Sequence, residues 1–130
     1  MGKSYVAHCM SGYYQYDRFV HVDECLRNHP YAQCGMIHKD GHTWFVSYET
    51  IVCEIDSDGW FNLSGEFSTT TSKQITWFLR EWCENNSHRH DLCNYQYLRN
   101  KYRKDIDVNL WNGDERPHVR GVVQTVGIRH

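Results

Sequence analysis

The rhythm of apolar and polar positions changes along the chain, and each change predicts a different element. From Cys34 the pattern is extended: Gly35, Met36, Ile37 and His38 read as a strand, Lys39-Asp40-Gly41 as a turn, and Thr43 to Ile55 as a long second strand. Asp-Gly supplies the positive φ that a tight hairpin needs. Asp56-Ser57-Asp58-Gly59 repeats the device, after which Phe61, Leu63 and Phe67 fall on one strand face and Asn62, Ser64 and Glu66 on the other. Alternation of this kind predicts a meander with one covered face.

The period then lengthens. Ile75, Phe78, Leu79 and Trp82 recur at i, i+3, i+4 and i+7, so they form one apolar stripe on a helix. Thr71, followed three residues later by Gln74, has the form of a capping box, and Glu84-Asn85-Asn86-Ser87 predicts the stop. A second helix over Asp91 to Lys104 buries Tyr95, Leu98 and Tyr102 by the same spacing. The predicted architecture is α+β: an antiparallel β-meander covered on one face by two helices, a two-layer single domain over residues 1–130.

The flanks carry weaker patterns. Tyr5 to Met10 reads as a strand, Ser11-Gly12 as punctuation, and Tyr13 to Val22 as extended chain. Asp23 predicts the cap of a short helix through Glu24, Cys25 and Leu26, ended near His29 because Pro30 disfavours helical geometry in its predecessor. In the tail, Gly121 to Ile128 reads as a final strand pairing with the sheet.

Composition narrows the function classes. A chain of 130 residues can bury a core without staples. Aromatics make up 15%, with nine Tyr and five Trp, which suits a protein that presents contact surfaces. A formal charge of -2 argues against a nucleic-acid-coating protein and against a strongly acidic mimic. Any charge-driven partner must meet a local patch. Met1 to Met10 holds one Lys and no long apolar run, so a cytosolic protein is expected, with no membrane partner and with its six Cys kept as thiols.

Candidate chemistry is sparse. Cys83, His88, His90 and Cys93 have metal-like spacing between the two helices, but the spacing matches no common zinc module. Cys83 also borders the apolar stripe, where it reads as a small core residue, so no metal and no cofactor is assigned. Cys34, His38 and His42 form a weaker set, with His38 and His42 expected to face each other across the hairpin turn. No nucleophile elbow, phosphate-binding glycine loop, dinucleotide fingerprint or metalloprotease helix is present, so no catalytic residue is assigned.

Two helical faces remain as partner-binding candidates. Trp77 projects opposite the first helix's stripe beside Lys73, Arg80 and Glu84. Either flanking segments bury it, or it anchors an interface of the kind in which Trp and Arg dominate. On the second helix, Tyr97, Lys101 and Lys104 lie opposite the stripe with Arg103 beside them. Such a face can hold phosphates and stack bases, or meet an acidic protein surface.

Ser47-Tyr48-Glu49-Thr50, Asp58-Gly59, Phe67-Ser68-Thr69-Thr70-Thr71, Ile75 and Phe78-Leu79-Arg80-Glu81 together resemble a family of small uncharacterised proteins of bacteriophages, plasmids and other mobile elements. The likeness covers about a third of the chain and departs from the family's frequent Tyr at Phe67. It implies a mobile-element origin, the cytoplasm of a bacterial host, and no established chemistry. Small proteins of such origin often antagonise host defence. The leading expectation is therefore a non-enzymatic binding protein, anti-CRISPR-like, whose partner is a host defence protein or its nucleic-acid complex. The alternatives are a nucleic-acid-binding accessory protein and a sponge for a nucleotide second messenger. The same motif residues also have a local reading: Ser68 to Thr71 caps a helix and Tyr48 packs in a sheet.

Overall fold

A computed structural model describes residues 6–8, 19–48, 50–86, 89–103, 105–116 and 128–129. Its elements in chain order are β1 (Val6–His8), β2 (Phe19–His21), β3 (Cys34–Lys39), β4 (His42–Ser47), β5 (Thr50–Ile55), β6 (Trp60–Ser64), α1 (Thr69–Asn86), α2 (Tyr95–Tyr102), β7 (Asp105–Asn109) and β8 (Ile128–Arg129). Strands β3 to β7 form a five-stranded antiparallel sheet in sequence order. The helices are inserted between β6 and β7, and both lie on one face. The α+β class and the helix-covered meander expected from the pattern are therefore present. Among the described residues no helix is long and apolar enough to cross a membrane.

The helix-facing side is a continuous apolar layer. Met36, Phe45, Cys53, Leu63 and Ile106 are cross-strand neighbours along one row, and Ile55, Phe61 and Val108 make a second. They meet Ile75, Phe78, Leu79 and Leu98, all fully buried. Phe45 stacks on Phe78 at 4.6 Å between centroids, which ties the middle of the sheet to the middle of α1.

The opposite side of the sheet is mixed. Ile37, Trp44, Glu54, Asn62 and Asp107 are successive cross-strand neighbours, and every one is buried. Ile37, Trp44, Val46 and Ile51 form a second apolar cluster with Val22, and β1 packs on β3 and β4. The expectation of a single covered face therefore needs correction at this end. Further along, Glu54 accepts His42 at 2.7 Å, Asp107 lies 3.9 Å from Arg116, and the Arg116 guanidinium sits 4.0 Å over the Trp60 ring. Buried carboxylates require such partners.

Several sequence expectations change. The single strand from Thr43 to Ile55 is two strands, β4 and β5, because Tyr48 turns the chain at φ 56. The turn carries no Gly, Pro, Asn or Asp, which hides it from a turn-residue argument. Segment 23–29 is not a helix. Asp23 and Glu24 donate to Met36 O, and Met36 donates back to Glu24 O at 2.8 Å, so pairing with the edge of β3 outweighs the local helix signal. Gly35 permits this approach, since a Cβ there would stand 2.7 Å from Val22 Cγ2.

The cap of α1 is Ser68, whose Oγ accepts the Thr71 N–H at 3.2 Å; Thr71 and Gln74 are inside, bonded to Ser47. Phe67 lies beyond β6, after Gly65 at φ +113 has redirected the chain. Helix α2 is shorter than expected: Asn94 caps it by accepting the Tyr97 N–H at 3.1 Å, and Arg103 ends it at φ 66. Strand β7 was not anticipated. Most of the predicted tail strand, residues 121–127, lies outside the described residues, and Ile128 pairs with β2 rather than with the five-stranded sheet.

Cys34, Cys53, Cys83 and Cys93 are not disulfide-bonded, whereas Cys25 is, against the expectation of thiols throughout.

Candidate ligand-binding cleft

The connection from β6 to α1 and the exposed side of α2 enclose a cleft of about 370 Å³ lined by Gly65, Glu66, Phe67, Ser72, Tyr95, Arg99 and Arg103. Its size falls within the range of small-molecule sites. Each wall follows from local sequence. Leu98 and Tyr95 hold α2 in the core, so Arg99 and Arg103, one helical turn apart, stay on its open side. Gly65 turns the chain out of β6 and presents Glu66 and Phe67 before Ser68 starts the helix.

The electrostatics are uneven. The Arg99 guanidinium lies 5.7 Å from the Tyr95 ring centroid and donates to Gln96 Oε1 at 3.1 Å, which fixes its direction. Burial raises the Tyr95 phenol above its usual pKa, with the Ser72 hydrogen bond and the Arg99 charge acting the other way. Glu66 shares the cleft with two guanidiniums, yet among the described residues it forms no ion pair. The cleft therefore offers two exposed guanidiniums, the half-buried Phe67 ring beside the largely buried Tyr95, a hydroxyl and one carboxylate. Among the described residues no Cys or His lines it.

The residues singled out from sequence are divided by the structure. Lys73 and Arg80 are exposed on α1. Trp77 is half-buried: His29 stacks on it at 3.6 Å with an interplanar angle of 7°, and Arg27 pairs with Glu84 at 2.8 Å. Of the two readings open for Trp77, coverage by a flanking segment is the one observed. Tyr97 is exposed. Lys101 lies 5.9 Å from the Tyr97 centroid and 3.4 Å from Glu115, which also accepts the Tyr102 hydroxyl. Arg103 faces the cleft, and Lys104 lies outside the described residues. Arg99 was missed, although its i, i+4 relation to Arg103 was a usable signal. Phe67 lies outside the strand its alternation predicts, whereas Tyr95 is buried in the core as its spacing predicts and also borders the cleft.

Among the described residues neither metal-like set forms a cluster of three ligands. Cys83 Sγ stands 3.4 Å from His90 Nδ1 and Cys93 is buried, but among the described residues no group of three candidate ligands converges, and His88 lies outside them. His38 and His42 do not face each other: His38 bonds Glu24 at 2.8 Å, while His42 bonds Glu54 on the other side of the sheet. Two motif residues behind the family resemblance, Ser47 and Thr71, bond β4 to α1, with Gln74 joining them.

A model described as a family of unknown function, DUF8033, matches residues 26–94, just over half of the chain. That span includes the loop wall of the cleft and all of α1, and it stops before α2 and the two arginines, Arg99 within it and Arg103 at its end. No curated protein and no solved structure matches the chain.

Proposed function

Given that the chain belongs to this family of unknown function, we propose that it is a non-enzymatic binding protein whose cleft takes a phosphorylated, ring-bearing small molecule of the nucleotide class. The observation that supports this reading is the convergence of Arg99 and Arg103 with Phe67 and Tyr95 on one cavity. Guanidiniums bind phosphate oxygens through charge-assisted, paired hydrogen bonds, and aromatic rings stack bases of any sequence. With neither thiol nor imidazole among the described lining residues, the cleft is suited to holding a ligand more than to turning it over.

A mobile-element origin, which the motif resemblance implies, makes a host-defence signalling nucleotide the natural ligand and sequestration in the bacterial cytoplasm the natural role. The test is equilibrium binding of mono-, di- and cyclic nucleotides to the full chain, followed by denaturation and analysis of what is released. Intact nucleotide, lost on Arg99→Ala, is the expected result. Released breakdown products would replace sequestration by catalysis.

Direct occlusion of a CRISPR effector or another host defence protein is the second reading, favoured by Tyr97, 43% exposed, and Trp111, 46% exposed, as aromatic contact points. It predicts a stoichiometric protein partner, surviving nuclease treatment, whose binding is weakened by Tyr97→Ala or Trp111→Ala. Retention of nucleic acid alone by the tagged chain would instead favour the accessory-protein alternative.

A further inference from the structure

Glu66 has no counter-ion among the described residues although two guanidiniums share its cleft, so the charges sit on separate walls. The arginines lie on α2 and the carboxylate lies on the loop leaving β6, next in sequence to Phe67. A ligand that satisfies both walls carries its anion at one end and hydrogen-bond donors at the other, with a flat ring between them.

Resting on the nucleotide reading above, we infer that the ring is guanine, with Glu66 accepting from its Watson–Crick edge while Arg99 and Arg103 hold the phosphate. An ionised carboxylate only accepts hydrogen bonds. Guanine alone among the common bases presents two adjacent donors there, the ring N1–H and the exocyclic amino group, matched to the two carboxylate oxygens. Adenine and cytosine each place a ring nitrogen acceptor beside their amino group, so one oxygen would meet a lone pair. Uracil flanks its single N–H with two carbonyls. Phe67, half-buried, supplies a ring face that any base can use, so it contributes to affinity and leaves the choice of base to Glu66.

The experiment is calorimetric titration of the full chain with GMP, IMP, AMP and CMP. GMP is expected to bind at least roughly tenfold more tightly than AMP or CMP, the order of discrimination a paired base contact gives. IMP keeps the N1–H, lacks the amino group and falls between; this comparison needs no variant. Glu66→Gln, on an exposed loop residue, replaces one acceptor by a donor and should abolish the preference for GMP. Equal binding of all four nucleotides, lost on Arg99→Ala, would overturn the guanine assignment and leave the cleft reading standing. Failure of every nucleotide to bind would overturn both.

Discussion

Ser47 Oγ, at the end of β4, donates to Gln74 Oε1 on α1 at 2.5 Å, with both side chains buried. Thr71 Oγ1 lies 3.0 Å from the same hydroxyl, so three polar side chains satisfy one another inside an otherwise apolar contact. Ser47→Ala takes a donor from Gln74 Oε1, while Thr71 keeps the Ser68 hydroxyl. A loss of about 1–3 kcal/mol in urea unfolding is expected. The pair Ser47→Ala with Gln74→Leu should recover part of it, because removing both partners costs less than orphaning one.

Phe45 and Phe78 carry the main apolar link between sheet and helix. Phe78→Ala should cost about 3–5 kcal/mol. A double-mutant cycle with Phe45→Leu and Phe78→Leu, measured by chemical denaturation, should return a coupling near 1 kcal/mol, the range for stacked aromatic pairs.

Arg103 closes α2 at φ 66, a backbone region that favours glycine. Keeping an arginine there costs stability and places a guanidinium on the cleft. Arg103→Gly is expected to raise stability by about 1 kcal/mol while weakening nucleotide binding. A thermal melt and a binding titration on the same sample check the opposed changes.

Burial pushes the Cys34 thiol up to about 12, from 9.0. Cys53 is raised as well, by burial first and then by Glu54. The folded state keeps these protons after the unfolded chain has lost them. Their contribution to stability is therefore complete below pH 9 and declines as the pH rises from 9 towards 12. Urea midpoints at rising alkaline pH should fall, and Cys34→Ala should flatten the slope.

Gly59 sits at φ +88 beneath Trp111, and a Cβ there would stand 2.8 Å from the indole. Trp111 also stacks near Trp82 and donates to Asn86 O at 3.0 Å, closing the end of α1. Gly59→Ala is expected to displace the indole and cost at least about 1 kcal/mol from backbone conformation alone. Tryptophan fluorescence and thermal unfolding would register both effects.

Much of the frame was legible where periodicity is strong. Ile75, Phe78 and Leu79 announce the buried side of α1, and Phe61 and Leu63 that of β6, because helix and strand spacings leave separate signatures. Tyr48 is illegible as a turn, since Ser47-Tyr48-Glu49-Thr50 holds no Gly, Pro, Asn or Asp and a non-glycine residue takes the positive φ. Segment 23–29 misled for a different reason: its edge pairing with Met36 is a long-range contact that no local window contains. The cleft was half-visible. Of its two basic residues the sequence points to Arg103 and not to Arg99, because the rotation that groups Arg103 with Arg99, leaving Lys101 with Glu115, depends on which side of α2 the core claims.

The buried row Ile37, Trp44, Glu54, Asn62 and Asp107 has a consequence for how the strands align. Sliding β5 or β7 by one residue against its neighbours would carry Glu54 or Asp107 into the layer occupied by Phe45, Leu63 and Phe78. A carboxylate stranded there costs several kcal/mol, so misaligned pairings are rejected during folding. The polar row therefore acts as a key that admits one alignment of the sheet, and α2, leaning on β7, inherits its position from it.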